Sequence, residues 1–283
     1  MVKVAERIYS LGETNYGICE VCFTRYQSPI YVCPYCKVGY HALAPTVKGF
    51  FSIRCSCGHK LPVTTWGRRK FKTLCTECGN EVKYTKVPIV TIPIMGGANA
   101  GKTTFINNHM KSDAKRVGNL TTFIERFQGR VTKFMLFDTL GSDFSDSHSL
   151  KKYQYYSYNN GFIFIIDPFV TARLLIVSTQ PPNYMLSDIL DTLILYLQKN
   201  QGLKPGETVN KPIAFVITKT DLLAESEGTI ENNEERFLRE NGEELFLNKL
   251  KRTFSNYKFF CEGKDPKTQK QQVVSWITSE SVH

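Results

Sequence analysis

The run Ile94-Met95-Gly96-Gly97-Ala98-Asn99-Ala100-Gly101-Lys102-Thr103-Thr104 matches G-x-x-x-x-G-K-[ST] in full. Such a run is a phosphate-binding loop. Its glycines let successive backbone N–H groups turn inward around a polyphosphate, Lys102 neutralises the outer phosphates, and the Thr103 hydroxyl can ligate Mg²⁺. Gly96, Gly97, Ala98, Asn99, Ala100, Gly101, Lys102, Thr103 and Thr104 are therefore the candidate nucleotide-binding residues.

Two later clusters complete the chemistry. Asp138-Thr139-Leu140-Gly141 lies about 35 residues past the loop, where a strand-end carboxylate can hold Mg²⁺ through water and Gly141 can turn its N–H toward a γ-phosphate. Thr218-Lys219-Thr220-Asp221 closes an apolar run and fits [NT]-K-x-D. Asp221 can accept two hydrogen bonds from guanine N1 and N2 while the Lys219 stem covers the ring. Adenine has no such donor pair, so a buried carboxylate there favours GTP over ATP. An ATPase is the alternative.

Cysteines supply a third chemistry. Eight of the nine form four close pairs, Cys19/Cys22, Cys33/Cys36, Cys55/Cys57 and Cys75/Cys78; Cys261 stands apart. Thiolates two or three positions apart on a tight turn grip one side of a tetrahedral Zn²⁺, and the glycines after Cys57 and Cys78 accommodate the turn's positive φ. Four pairs make two closed Cys₄ sites with no position for water, so both metals are expected to be structural. Loop closure favours sequential sharing, with Cys19, Cys22, Cys33 and Cys36 on one ion and Cys55, Cys57, Cys75 and Cys78 on the other. The alternative nests Cys33, Cys36, Cys55 and Cys57 inside the outer pairs. His41 and His59 are spare ligands that eight cysteines leave unused.

These groups need elements to hold them. Residues 88–283 alternate short apolar strands with helical patterns, the signature of a parallel sheet covered by helices. Strands are expected at 89–95, 122–127, 131–137, 161–166, 213–218 and 273–277, and helices at 102–110, 187–198 (capped by Ser187) and 234–254. Pro93 removes a ladder donor from the first strand and predicts a local irregularity. The fold class is α/β: a P-loop NTPase with a mostly parallel sheet and helices on both faces, preceded over residues 1–87 by a small β-rich double zinc-ribbon module.

Charge divides at the same boundary. Residues 1–87 hold 13 Lys+Arg against 5 Asp+Glu, or +8, and residues 88–283 hold 23 against 21, or +2, which sum to the net +10. Two Zn(Cys)₄ sites at −2 each lower the first figure to about +4. That balance, with Arg68-Arg69-Lys70-Phe71-Lys72, suits an acidic protein partner; nucleic acid is the alternative. Without a signal peptide or an apolar run near 18 residues, the chain reads as cytoplasmic, with no membrane partner.

Lys102 and Thr103, Asp138 to Gly141, and Thr218 to Asp221, in that order, resemble the TRAFAC class of P-loop GTPases over residues 88–283. The zinc-ribbon front end is similar to bacterial GTPases of the double-GTPase type. Membership implies GTP/GDP with Mg²⁺ as cofactors and a nucleotide-dependent switch; the two Zn²⁺ are read from the cysteines, and the ribbons they hold are read as a docking surface for a protein partner. It also implies that Thr121 or Thr122 is the mobile switch threonine, unless both are ordinary strand residues. Thr278-Ser279-Glu280 would follow the last strand, with Ser279 against the guanine. Many GTPases of this class carry a glutamine just after D-x-x-G; here Ser142 and Asp143 stand there, so hydrolysis should be slow. Asp143, Asp146, His148 or a partner's group would position the water. No segment after 273–277 is left to supply the terminal helix usual beside the last strand.

Overall fold

The computed structural model describes residues 16–27, 29–37, 39–40, 53–61, 67, 71–83, 87–109, 114–139, 155–175, 184–223, 230, 232–262 and 266–281. Two compact units, Met1–Pro88 and Ile89–His283, divide the chain.

The first unit is built from very short strands. They are β1 (Gly17–Ile18), β2 (Arg25–Tyr26), β3 (Ile30–Val32), β4 (Gly39–Tyr40), β5 (Ile53–Arg54), β6 (Lys60–Leu61) and β7 (Lys72–Leu74). β1 pairs with β2 and β5 with β6, whereas β3 lies between β4 and β7, all antiparallel. Two small apolar clusters form, one of Tyr31, Cys33, Cys55 and Leu61, the other of Cys19, Tyr26, Cys75 and Val82. Each includes thiols from two knuckles. Cores this small need a further staple.

The second unit is an α/β fold, a mostly parallel seven-stranded sheet with helices on both faces. Its strands are β8 (Ile89–Met95), β9 (Lys115–Val117), β10 (Leu120–Phe127), β11 (Arg130–Asp138), β12 (Phe162–Ile166), β13 (Ile213–Ile217) and β14 (Tyr257–Cys261). Their order is β14-β13-β12-β8-β11-β10-β9, parallel from β14 to β11 and antiparallel over the last two pairs. The helices are α1 (Lys102–His109), α2 (Tyr155–Tyr158), α3 (Ala172–Leu175), α4 (Leu186–Gln201), α5 (Glu234–Glu240), α6 (Glu244–Thr253) and α7 (Pro266–Glu280).

Alternation along the strands gives the sheet two chemically different faces. Ile92, Ile94, Ile163, Ile165, Ala214 and Val216 pack against Phe105 and Ile106 of α1 and Val273, Val274 and Ile277 of α7. The opposite face is aromatic. There Phe137 stacks on Tyr155 and Tyr156 on Tyr196 of α4, while Phe164 tilts against Phe246 of α6 and Phe215 meets the same ring edge-on. All these strand residues are buried.

Pro93 produces the expected irregularity. β8 keeps full register with β11, Pro93 facing Phe137, but pairs with β12 only at Ile94 and Met95. Upstream, the Asn160 side chain replaces the ladder by accepting from Thr91 N at 2.9 Å, and Asn160 N returns a bond to Thr91 O.

Four element assignments change. Residues 273–277 are helical, inside α7, and the last strand is β14. The terminal helix is therefore present, packed against α1, β13 and β14. The stretch 234–254 breaks into α5 and α6 at Gly242, whose φ of +87° suits glycine. Ser187 does not cap α4; Met185 N donates instead to Asp188 Oδ2 at 2.8 Å.

Candidate functional site

The candidate phosphate loop sits where β8 turns into α1. Gly96 has φ +149° and Gly101 φ +93°, backbone open to glycine at little cost. Space restricts the loop as well. A Cβ on Gly96 would stand 2.6 Å from the Ile165 carbonyl, so no side chain fits there without moving β12. Lys102 is buried and folds back over the loop, its Nζ 2.7 Å from Gly96 O and 2.5 Å from Gly97 O. An ammonium parked on loop carbonyls is positioned to meet phosphates arriving at the same mouth. Asn99, at φ +60°, and Thr104 are exposed beside it.

Asp138 ends β11 and faces the first turn of α1. Thr103 Oγ1 donates to Asp138 Oδ2 at 3.0 Å, which sets the hydroxyl that would ligate Mg²⁺ beside the carboxylate that would hold the ion through water. The donor set is therefore hard oxygen, as Mg²⁺ requires. Arg116 of β9, which the motifs do not include, places Nη2 3.2 Å from the same Oδ2 and Nη1 3.3 Å from Asn107. It partly neutralises a buried carboxylate. Thr139 is fully buried, its N–H on Ile94 O and its hydroxyl 3.0 Å from Tyr156 OH.

The end of β13 joins the phosphate loop directly. Thr218 Oγ1 donates to Ala100 O at 2.8 Å and lies 3.2 Å from Ile166 O, clamping the loop to two neighbouring strands. Lys219 adopts φ +54° and sends Nζ 2.5 Å from Asp167 Oδ2 at the end of β12. Asp167 also caps the 3₁₀ turn Pro168–Val170 by accepting from Phe169 N. Asp221 lies in the 3₁₀ turn Thr220–Leu222, exposed and without a hydrogen-bond or ionic partner among the described residues. The carboxylate is thus open to solvent and not buried as the sequence argument expects, and it stands near a lysine stem braced on Asp167.

Other expected residues are placed differently. Thr121 and Thr122 are ordinary strand residues of β10, buried and paired with Leu136 and Met135 of β11. Ser279 belongs to α7, donating to Trp276 O, and its neighbour Glu280 bonds Asn256, just before the start of β14. It thus sits at the sheet edge opposite the loop. Gly141, Asp143, Asp146 and His148 lie outside the described residues, as does His41.

The cysteines group as the nested alternative. Cys19, Cys22, Cys75 and Cys78 converge, as do Cys33, Cys36, Cys55 and Cys57, each set with its sulfurs within 4.8 Å of one another. The sequential sharing expected on loop-closure grounds is overturned. The ladder of β3 with β7 brings the last knuckle back beside the first two. Sγ–Sγ distances are 3.6 Å (Cys19–Cys78), 3.5 Å (Cys22–Cys75), 3.8 Å (Cys33–Cys57) and 3.2 Å (Cys36–Cys55). A tetrahedron of ~2.3 Å Zn–S bonds has edges of about 3.8 Å, so both sets fit zinc.

Local backbone supports the grip. The residue after the second cysteine has positive φ in every knuckle: Phe23 +60°, Lys37 +62°, Gly58 +86° and Gly79 +69°. Val21 N and Glu77 N donate to the sulfurs of Cys19 and Cys75. Burial pushes the Cys19 thiol up to about 12. At Cys78 burial acts upward too, but bonds from Asn80 bring the thiol down to about 6. His59 is not in either set; it stacks on Tyr35 with Nδ1 3.3 Å from Cys57 Sγ.

No protein-family model matches the chain, and no curated protein matches it. Among solved structures it is similar to the Arl6 BBS3 small GTPase from Trypanosoma brucei with bound nucleotide analogue GppNp, at 16% identity and a TM-score of 0.42, covering 69% of this chain and 98% of that one. No helix among the described residues is long and apolar enough to cross a membrane.

Proposed function

We propose that this chain is a cytoplasmic GTP-binding protein of the TRAFAC P-loop class that switches conformation with its nucleotide and hydrolyses GTP slowly. One observation carries the reading. The Thr218 hydroxyl bonds Ala100 O, so the end of β13, three residues before the base-selecting Asp221, is fastened to the loop carrying the phosphate-binding Lys102. A nucleotide spanning those two groups would have both ends fixed by one rigid unit.

Bound Mg²⁺ and the triphosphate supply a polarised γ-phosphoryl group open to in-line attack by water. Lys102 turns its ammonium from the Gly96 and Gly97 carbonyls to the phosphates and stabilises developing negative charge. Thr103 and Asp138 hold the metal ion, and the N–H groups of the loop orient the phosphates. Gly141 takes the γ-phosphate-sensing position, and Asp143, Asp146, His148 or a partner's side chain positions water. Thr218 and Lys219 brace the base site, and Asp221 selects guanine. Zn²⁺ in the two Cys₄ sites holds the N-terminal module as a docking surface for a protein partner.

Competition between GTP and ATP for the purified protein, with Mg²⁺, tests the base assignment. GTP displacing ATP supports it; equal or inverted preference refutes it. Salt-dependent binding of RNA or DNA by the full chain would instead favour the nucleic-acid alternative, and its absence at low salt removes that alternative.

A further inference from the structure

Tyr184 lies two residues before α4, outside every motif, yet it reaches the phosphate loop. Its phenol donates to Ala98 O at 2.8 Å. Its ring covers Gly97 so closely that a Cβ there would fall 1.8 to 2.0 Å from ring atoms. Lys102 already holds the two preceding carbonyls, Gly96 and Gly97. Three successive loop carbonyls are thus held by two side chains that end in exchangeable donors. When phosphates enter, the lysine leaves its carbonyls for them. The phenol, one carbonyl further along the same rim, can make the same exchange by rotating its side chain.

We propose that Tyr184 reads the terminal phosphate: its hydroxyl donates to a γ-phosphoryl oxygen when GTP is bound and returns to Ala98 O when GDP is bound. This rests on the guanine-nucleotide reading above. The phenol suits the role because it stays protonated. Burial, with the Asp167 charge adding to it, pushes it up to about 12, so it donates throughout the neutral range and never presents a phenolate to phosphate. Its position also couples nucleotide state to the fold. Met185 N holds Asp188 in the first turn of α4, and Leu186, Leu190 and Leu193 bury that helix, so a shift of Tyr184 pulls on a packed element.

The test is Tyr184→Phe, which keeps the ring over Gly97 and removes only the donor. Calorimetric titration with Mg²⁺ and either GDP or a non-hydrolysable GTP analogue should show the analogue bound about 10- to 100-fold more weakly than by the wild type, as expected for one hydrogen bond to a charged oxygen. GDP affinity should stay within about twofold, and the melting temperature should be unchanged. Equal losses for both nucleotides, or no loss for either, overturn the proposal. A wild-type protein that binds no purine nucleotide overturns both this proposal and the functional reading beneath it. If the wild type prefers ATP, only the base assignment falls, and the same comparison with ADP and an ATP analogue decides the role of Tyr184.

Discussion

Thr218→Val probes the joint on which the proposed nucleotide site depends. Thr218 is 1% exposed, and its single hydroxyl proton serves Ala100 O at 2.8 Å with Ile166 O at 3.2 Å. Valine keeps the shape and removes the donor, leaving Ala100 O buried beside a methyl group. Leaving one buried acceptor unsatisfied costs about 1–3 kcal/mol. A unit of this size loses about 2–4 °C of melting temperature per kcal/mol, so a mid-range loss of ~2 kcal/mol lowers it by roughly 4–8 °C. On the proposed reading the loop would contact phosphates common to GDP and GTP, so both should bind about tenfold more weakly, and by the same factor. Differential scanning calorimetry and nucleotide titration measure the two effects. Thr218→Ser keeps the hydroxyl and serves as control. A valine variant with wild-type melting and affinity, or a serine variant as damaged as the valine one, refutes the reasoning.

Further outcomes follow from the same geometry. Lys102→Ala should fold but lose more than about 100-fold in affinity for GTP and GDP, since the buried ammonium is the proposed phosphate ligand of the loop; retained wild-type binding contradicts the proposed site. Asp221→Asn should move preference from guanine toward xanthine, whose extra carbonyl accepts from an amide donor, and unchanged GTP selectivity in competition assays refutes the base contact. Cys22→Ser and Cys75→Ser should each lower zinc content from two ions per chain to one, and the double variant should also keep one; loss of both ions in the double variant contradicts the nested sharing. Burial pushes Lys211 down to about 8 from its ordinary 10.5, so between those values the unfolded chain binds more protons than the folded one. Stability should therefore gain from rising pH across that window, and Lys211→Met should raise the melting temperature at pH 7 and flatten the gain; an identical pH slope in both proteins rules this out.

What the sequence makes legible is what contiguous residues determine. The phosphate loop, the strand-end Asp138 and the run Thr218 to Asp221 each fix their own local geometry, and all three converge at one edge of the sheet. Residues recruited from other elements carry no such signature. Asp167 had a weak signal, a carboxylate at the C-terminal end of a buried strand. Arg116 and Tyr184 had none, because their roles exist only once β9 and the start of α4 are folded beside the loop. The exchange of strand for helix at the end of the chain has a different cause. Val273, Val274 and Ile277 are buried at helical spacing, yet a five-residue run with four apolar members reads equally well as a strand. Tyr257–Cys261, the true edge strand, follows α6 with one exposed lysine and two half-covered rings, and so lacks the continuous apolar run of β12 or β13.

The cysteine sharing shows why a sound local argument can lose. Sequential pairing closes loops between Cys22 and Cys33 and between Cys57 and Cys75; nesting instead spans 19 residues from Cys36 to Cys55 and 53 from Cys22 to Cys75. Closure entropy grows only as the logarithm of length, so the longer loops cost about 1.5 kcal/mol more in total. Against that stand the ladder of Ile30, Tyr31 and Val32 with Leu74, Thr73 and Lys72, and the burial of Tyr31 and Leu61 beside one thiol set and of Tyr26 and Val82 beside the other. Burying even one such side chain outweighs the closure difference. Nesting also ties the two ends of the module to each other, so removing the outer zinc should release β1, β2 and β7 together. Hydrogen exchange on the Cys75→Ser variant should then show deprotection in both halves of the module, and deprotection confined to residues 71–83 would contradict the nested arrangement.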